Sequence, residues 1–184
     1  MVECGACIGA TVLSIAHKAN KVIAIEPEYR NLVWLYNNVK NMNYNNIIIV
    51  GKALSSIKGK KKLYISSTSS GHTLMPWVFD WKENLDKPLS GKYIEVEVDT
   101  LDEILKKLGI KKVDLIRMNI EGSEFDALLG AIETLNNTKK IYLIWHGKNK
   151  EECVKLLEMK GFKIVSQKEN IIIAKNYSYS SALD

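Results

Sequence analysis

Val2-Glu3-Cys4-Gly5-Ala6-Cys7-Ile8-Gly9-Ala10 decides how the rest of the chain is read. A short apolar and acidic opening runs into two glycines four apart, then into Thr11-Val12-Leu13-Ser14-Ile15-Ala16. Apolar residues at 12, 13, 15 and 16 form a buried helical face. A strand that turns through Gly5 and Gly9 into a helix allows close backbone approach, because glycine has no Cβ. The helix start offers free N–H groups at the same place. Further on, Val22-Ile23-Ala24-Ile25-Glu26-Pro27 reads as a second buried strand that ends in a carboxylate. An acid at that offset from a glycine turn commonly binds the hydroxyls of a ribose. The pair of features therefore predicts a nucleoside site held by Gly5, Gly9 and Glu26.

The spacing narrows the ligand. A dinucleotide turn has G-x-G-x-x-G, so that a pyrophosphate can rest on the helix start. Here the glycines are spaced G-x-x-x-G, with Cys7 where the second glycine would be needed. That argues for a nucleoside without phosphates, of which S-adenosylmethionine is the common one. Cys4 and Cys7 also spell C-x-x-C at a strand-to-helix turn, the place of a redox pair in thioredoxin-like proteins. Against that reading stands the continuing βα repeat, with its acid-ended second strand. A zinc site would need two more ligands, and His146 and Cys153 are poorly spaced for it. No metal is expected.

The 184 residues predict a single domain over 1–175 with a core of its own, and a polar tail from 176 to 184 that frays. Apolar residues make up 46% and charged residues 26%, ordinary for a soluble globular protein. The net charge of +5 is mild and the lysines are dispersed, which argues against nucleic acid as a partner. No apolar run reaches membrane length, and no signal peptide precedes the first strand. The expected location is cytoplasmic, away from membranes.

Along the chain, Tyr29 to Asn41 carries a helical stripe of Leu32, Val33, Leu35, Tyr36 and Val39. Ile47-Ile48-Ile49-Val50 is β-branched throughout, as in a parallel strand buried on both faces. The next loop places Lys52 and Ala53 where backbone lies against an adenine ring. Residues 55–98 break the βα rhythm. Within them Lys62–Ser66 and Tyr93–Val98 alternate like strands, and the polar and aromatic stretch between them contains His72 and Trp77. Long loops of this kind serve as lids or binding loops. This insertion, with His72 and Trp77, is expected to select the substrate.

Thr100 and Glu103 predict a capping box at the start of a helix that ends at Gly109. Val113 to Asn119 reads as the fourth parallel strand and leads through Glu121-Gly122 into a helix from Ser123 to Leu135. Ile141 to Gly147 reads as the fifth, with His146 at its end. A helix over Glu151 to Lys160 and a hairpin of Phe162–Ser166 with Ile171–Ala174 close the domain. These elements predict an α/β fold class: a Rossmann-like, seven-stranded sheet, mostly parallel, with a C-terminal antiparallel hairpin.

Val2-Glu3-Cys4-Gly5-Ala6-Cys7-Ile8-Gly9, Ile25-Glu26-Pro27, Thr100-Leu101-Asp102-Glu103-Ile104 and Asp114 to Glu124, followed by Leu128-Leu129-Gly130-Ala131, occur in the order seen in FkbM-type methyltransferases. The chain resembles that family from about Val2 to Ile173, most specifically over Asn119 to Glu124. The resemblance implies S-adenosylmethionine-dependent O-methylation of a hydroxyl on a sugar or small natural product. The family usually has aspartate where this chain has Asn119 and glutamate where it has Trp145. Its members often carry more sequence upstream, so the chain reads as either a minimal or a shortened version.

Methyl transfer from a sulfonium needs positioning and water exclusion above all. A hydroxyl acceptor gains from a base that takes its proton. Asn119 cannot serve as that base and is expected to orient the acceptor or bind the cofactor's amino acid end. His146 and Glu121 are the candidate bases, and Glu3 the candidate partner of the cofactor's ammonium. Two other readings stand beside this one: a binding module on the same fold whose catalytic edge has decayed, and a C-x-x-C redox protein.

Overall fold

The computed structural model describes residues 1–76 and 89–179. It begins with β1 (Val2–Cys4), α1 (Ala10–Ala16), β2 (Val22–Ile25), α2 (Tyr29–Asn41) and β3 (Ile47–Val50). Next come β4 (Ala53–Leu54), β5 (Gly59–Ser66) and β6 (Leu89–Asp99). The second half runs α3 (Leu101–Lys107), β7 (Val113–Met118), α4 (Glu124–Leu129), α5 (Ile132–Asn136), β8 (Thr138–Ile144), α6 (Lys150–Met159), β9 (Phe162–Lys168) and β10 (Ile171–Asn176).

Seven strands form the main sheet in the order β3-β2-β1-β7-β8-β10-β9. The first five of that order are parallel, and β10 runs antiparallel to both of its neighbours. The chain thus leaves β1 on one side to form β2 and β3, and returns on the other side as β7. That reversal opens a crevice at the C-terminal ends of β1 and β7. Strand alternation splits the core into two layers. On β2, Ile23 and Ile25 join the larger layer with α3 to α6, whereas Val22 and Ala24 face Val12 of α1 and Leu35 and Val39 of α2. No described helix is long and apolar enough to cross a membrane.

Several details differ from the sequence reading. β3 is half-buried along its length because it is the sheet's edge strand. The helix expected over Ser123 to Leu135 is two short ones, parted at Gly130-Ala131. The carbonyl of Ser55 presses into that gap, 2.2 Å from where a Gly130 Cβ would stand. At α3 only half the capping box forms. The Thr100 hydroxyl accepts from Glu103 N–H, but Thr100 N–H donates to Asp99. The hairpin turns on Glu169-Asn170 alone, and Asn176, expected to begin the tail, closes β10 with its amide on the Leu135 carbonyl.

The residues between β3 and α3 build a second sheet, β4-β6-β5, over its own apolar cluster of Ala53, Leu63, Val96 and Val98. It is tied to α4 by Asp126, whose carboxylate accepts from Ser55, Ser56 and Lys61. The loop after β5 folds back, with Thr73 paired to Tyr64, and so hangs over the crevice.

Candidate functional site

At the crevice, Asn119 N–H donates to the Cys4 carbonyl at 3.0 Å, so the turns after β1 and β7 lie side by side. A Cβ at Gly5 would sit 2.1 Å from the Asn119 carbonyl oxygen, and Gly5 has φ +84°. The glycine is therefore demanded by the neighbouring strand end as well as by the turn. Between these turns, the end of β2 and the overhanging loop lies a cleft of about 90 Å³. Gly5, Glu26, Lys52, Ala53, Asn119 and Glu121 all line it, and Ser69, His72 and Leu74 of the overhanging loop cover it.

Glu26 is buried at the end of β2. Its Oε2 accepts from Cys7 N–H at 2.9 Å; its Oε1 accepts from Glu28 N–H at 3.0 Å and from the Asn31 amide at 3.2 Å. Burial pushes its pKa up, against the pull of those donors. Three of the roughly four lone-pair positions of a carboxylate are taken. About one remains for a hydroxyl in the cleft.

Two further polar atoms at the cleft are buried without a hydrogen-bond partner among the described residues, Asn119 Oδ1 and Ser123 Oγ. Such atoms are rare in a folded protein and call for a partner from outside the chain. Cys7 and Glu121, both lining the cleft, hold left-handed backbone at φ +49° and +51°. Strain of this kind collects at binding sites. Together these donors and acceptors fit a nucleoside with a polar amino acid arm: Glu26 for the ribose, Asn119 and Ser123 for the arm.

His146 does not line the cleft. It stands behind it, with Nδ1 3.0 Å from Glu124 Oε1 and Nε2 3.7 Å from Glu121 Oε2. Glu124 Oε1 also accepts from Ile120 and Gly122 N–H, which fixes the carboxylate. Nδ1 therefore donates to Glu124, and Nε2 is turned to Glu121. The sequence reading had named His146 and Glu121 but missed Glu124. The available signal was the second acid of Glu121-Gly122-Ser123-Glu124, three residues on across a glycine.

The other candidates divide. Glu3 does not line the cleft; its carboxylate pairs with Arg117 on the adjacent strand, at a site expected to be free for an ammonium. Burial raises its pKa to about 7, against the pull of Arg117. Gly9 caps α1 at φ +98° and packs against Leu35, away from the cleft wall. The ammonium of Lys52 is held by Glu97 and Asp99. Trp77 lies outside the described residues. Burial pushes the Cys4 thiol up and the Cys7 thiol up, opposite to the low pKa that a reactive thiol requires. Among the described residues no cluster of His, Cys, Asp and Glu is placed to hold a metal ion.

The model of the methyltransferase FkbM domain matches residues 3–166. Over 49 residues the chain is 41% identical to the 2-O-methyltransferase NoeI of Sinorhizobium fredii (strain NBRC 101917 / NGR234). That match takes in 27% of this chain and 20% of NoeI. Methyltransferase FkbM from Methylobacillus flagellatus KT superposes with a TM-score of 0.60 at 20% identity, covering 95% of this chain and 42% of that one. TrmK of M. capricolum, in complex with S-adenosyl-homocysteine, gives 0.56 at 10% identity, over 100% and 64%. The chain thus spans less than half the length of either NoeI or the Methylobacillus flagellatus protein. The structural likenesses share one fold, the Rossmann-like class I methyltransferase sheet.

Proposed function

The chain belongs to the methyltransferase FkbM domain family, and from that premise we propose that it is an S-adenosylmethionine-dependent methyltransferase acting on a hydroxyl of a sugar or other small natural product. The observation that carries the reading is the cleft at the β1/β7 reversal. There the buried Glu26 carboxylate shares a wall with two unpartnered polar atoms, Asn119 Oδ1 and Ser123 Oγ. When bound, S-adenosylmethionine supplies an electrophilic methyl group on a sulfonium. Glu26 accepts from a ribose hydroxyl, and Asn119 and Ser123 meet the amino acid arm. Glu121, the cleft-lining acid, takes the proton released by the acceptor hydroxyl, and His146, held by Glu124, stands behind Glu121 and keeps its carboxylate in place. The 2-O-methyltransferase NoeI match favours an oxygen acceptor. A binding module without turnover is the second reading, favoured by Asn119, an amide that cannot take up a proton.

The test is calorimetry and thermal melting with S-adenosylhomocysteine, followed by methyl transfer from labelled S-adenosylmethionine to a panel of sugars. Saturating S-adenosylhomocysteine at 100 times its Kd should add about 2.7 kcal/mol of stability. Glu26→Ala should weaken binding by about 2 kcal/mol, the worth of a hydrogen bond to a charged group. Glu121→Gln should leave that Kd unchanged and lower kcat about 10²–10⁴-fold. A melting shift with NAD and none with S-adenosylhomocysteine would remove the cofactor assignment. Tight binding with no turnover on any acceptor would favour the second reading.

A further inference from the structure

A second concavity adjoins the overhanging loop. One wall comes from α2, with Arg30, Asn31 and Trp34; the other comes from the small sheet, with Ile65 of β5 and Lys92 and Ile94 of β6. Ser69 and His72 line both this groove and the cleft, so the two cavities adjoin at these residues. Both residues are held in place. Asn31 donates to the Ser69 carbonyl at 2.9 Å, and Ser66 N–H donates to His72 Nδ1 at 3.1 Å.

The chemistry of the groove is uneven in a telling way. Trp34 of α2 is 61% exposed, its indole open to solvent. Ile65 and Ile94 give an apolar strip, and the loop from Ser66 to Ser69 contributes four consecutive hydroxyl side chains. Arg30 and Lys92 are the cations of its lining, and the acid Glu28, also in the lining, accepts from Asn31 N–H. An aromatic face and an apolar strip suit the C–H faces of a pyranose ring, and the hydroxyls suit its edge. Two cations suit a carboxylate or similar anionic substituent.

We propose that this groove holds the acceptor of the methyl transfer, an acidic saccharide with one ring lying on Trp34 and its charged group met by Arg30 and Lys92, and that its reacting hydroxyl enters the cleft where Ser69 and His72 line both cavities. The proposal rests on the cofactor reading of the cleft only for the direction of the reaction. His72 gives the groove its link to the chemistry. Its Nδ1 already accepts from Ser66, so in the neutral ring Nε2 carries the hydrogen and can only donate. Burial lowers the pKa of His72 and keeps it neutral, while Glu28 and Glu121 pull the other way. His72 thus orients the acceptor hydroxyl where the two cavities adjoin and does not deprotonate it. The proton of that hydroxyl passes to Glu121, which lines the cleft.

A single-stranded nucleic acid could also stack a base on Trp34 and place phosphates on Arg30 and Lys92. The observations favour the saccharide. Stacking grooves for nucleic acid follow the strand with a run of cations, whereas this groove has two among the described residues and also the acid Glu28.

The test uses the whole chain, first without and then with saturating S-adenosylhomocysteine, and titrates tetragalacturonate, maltotetraose and hexauridylate by calorimetry and saturation-transfer NMR. Tetragalacturonate should bind best, with an affinity that falls as salt is added. Trp34→Ala should weaken it about tenfold, with the Kd for S-adenosylhomocysteine and the melting temperature unchanged. Arg30→Gln should bring tetragalacturonate down towards maltotetraose. Unaltered saccharide affinity in Trp34→Ala, equal binding of the neutral and acidic saccharides, or preferential binding of hexauridylate would each overturn the proposal. Should S-adenosylhomocysteine fail to bind, the cofactor reading falls, while the titrations without it still decide what the groove holds.

Discussion

Glu3 shows how one side chain can change roles once its neighbours are known. Its place beside the glycine turn suggested a partner for a ligand's ammonium, and the structure gives it Arg117, 114 residues away on the next strand. Nothing local to Glu3 announces that pairing, because strand register is a property of the whole sheet. Its pKa in the fold is about 7, against an ordinary 4.5. The folded protein therefore holds this proton more tightly than the unfolded chain does. Stability from this group is complete below pH 4.5 and is lost as pH rises through about 7. Melting temperatures between those pH values should fall with rising pH in the native protein, and the slope should flatten in Glu3→Gln. Gly5 gives a second test at this scale. Its left-handed φ and the Asn119 carbonyl 2.1 Å from a would-be Cβ should make Gly5→Ala cost about 3 kcal/mol or more. Denaturant titration would measure it.

Among the elements, those whose signal is local were the most legible. The stripe over Tyr29–Asn41 gave α2 with the observed ends, and the alternation around Tyr93–Val98 gave the core of β6. The break between α4 and α5 was illegible because its cause is a carbonyl from another element, that of Ser55. Gly130 has an ordinary φ, so its need for glycine is purely one of space. Gly130→Ala should cost about 1–3 kcal/mol by overpacking. It should also loosen the Asp126 contacts to Ser55, Ser56 and Lys61, which hydrogen exchange across β4 and β5 would detect. The cleft shows the same divide. Its floor, Gly5, Glu26 and Asn119, was readable as strand ends, because a parallel sheet brings such ends to one edge. Glu124 behind His146 was not, since the bond joins the start of one helix to the end of a strand 22 residues on. The Glu28 N–H and Asn31 amide bonds that occupy Glu26 depend on how α2 begins.

At the scale of the molecule, the strand order places the earliest strand in the interior of the sheet. β1 has only three residues, is buried throughout, and is hydrogen-bonded on one side to β2 and on the other to β7. The first of those partners lies about one helix downstream, and the second comes after the small sheet and α3. The two sides of β1 therefore close at different times during folding. The β1-β2-β3 half can assemble from nearby chain, but its inner edge stays open until β7 arrives, and closing so long a loop is the slow step. Pulse-labelling hydrogen exchange during refolding should find β2 and β3 amides protected early, and β1 and β7 protected together in the last phase. The cleft is built on that seam, between Gly5 and Asn119. It comes into being only when the two halves of the sheet are joined, so a partly folded chain has no competent site to offer.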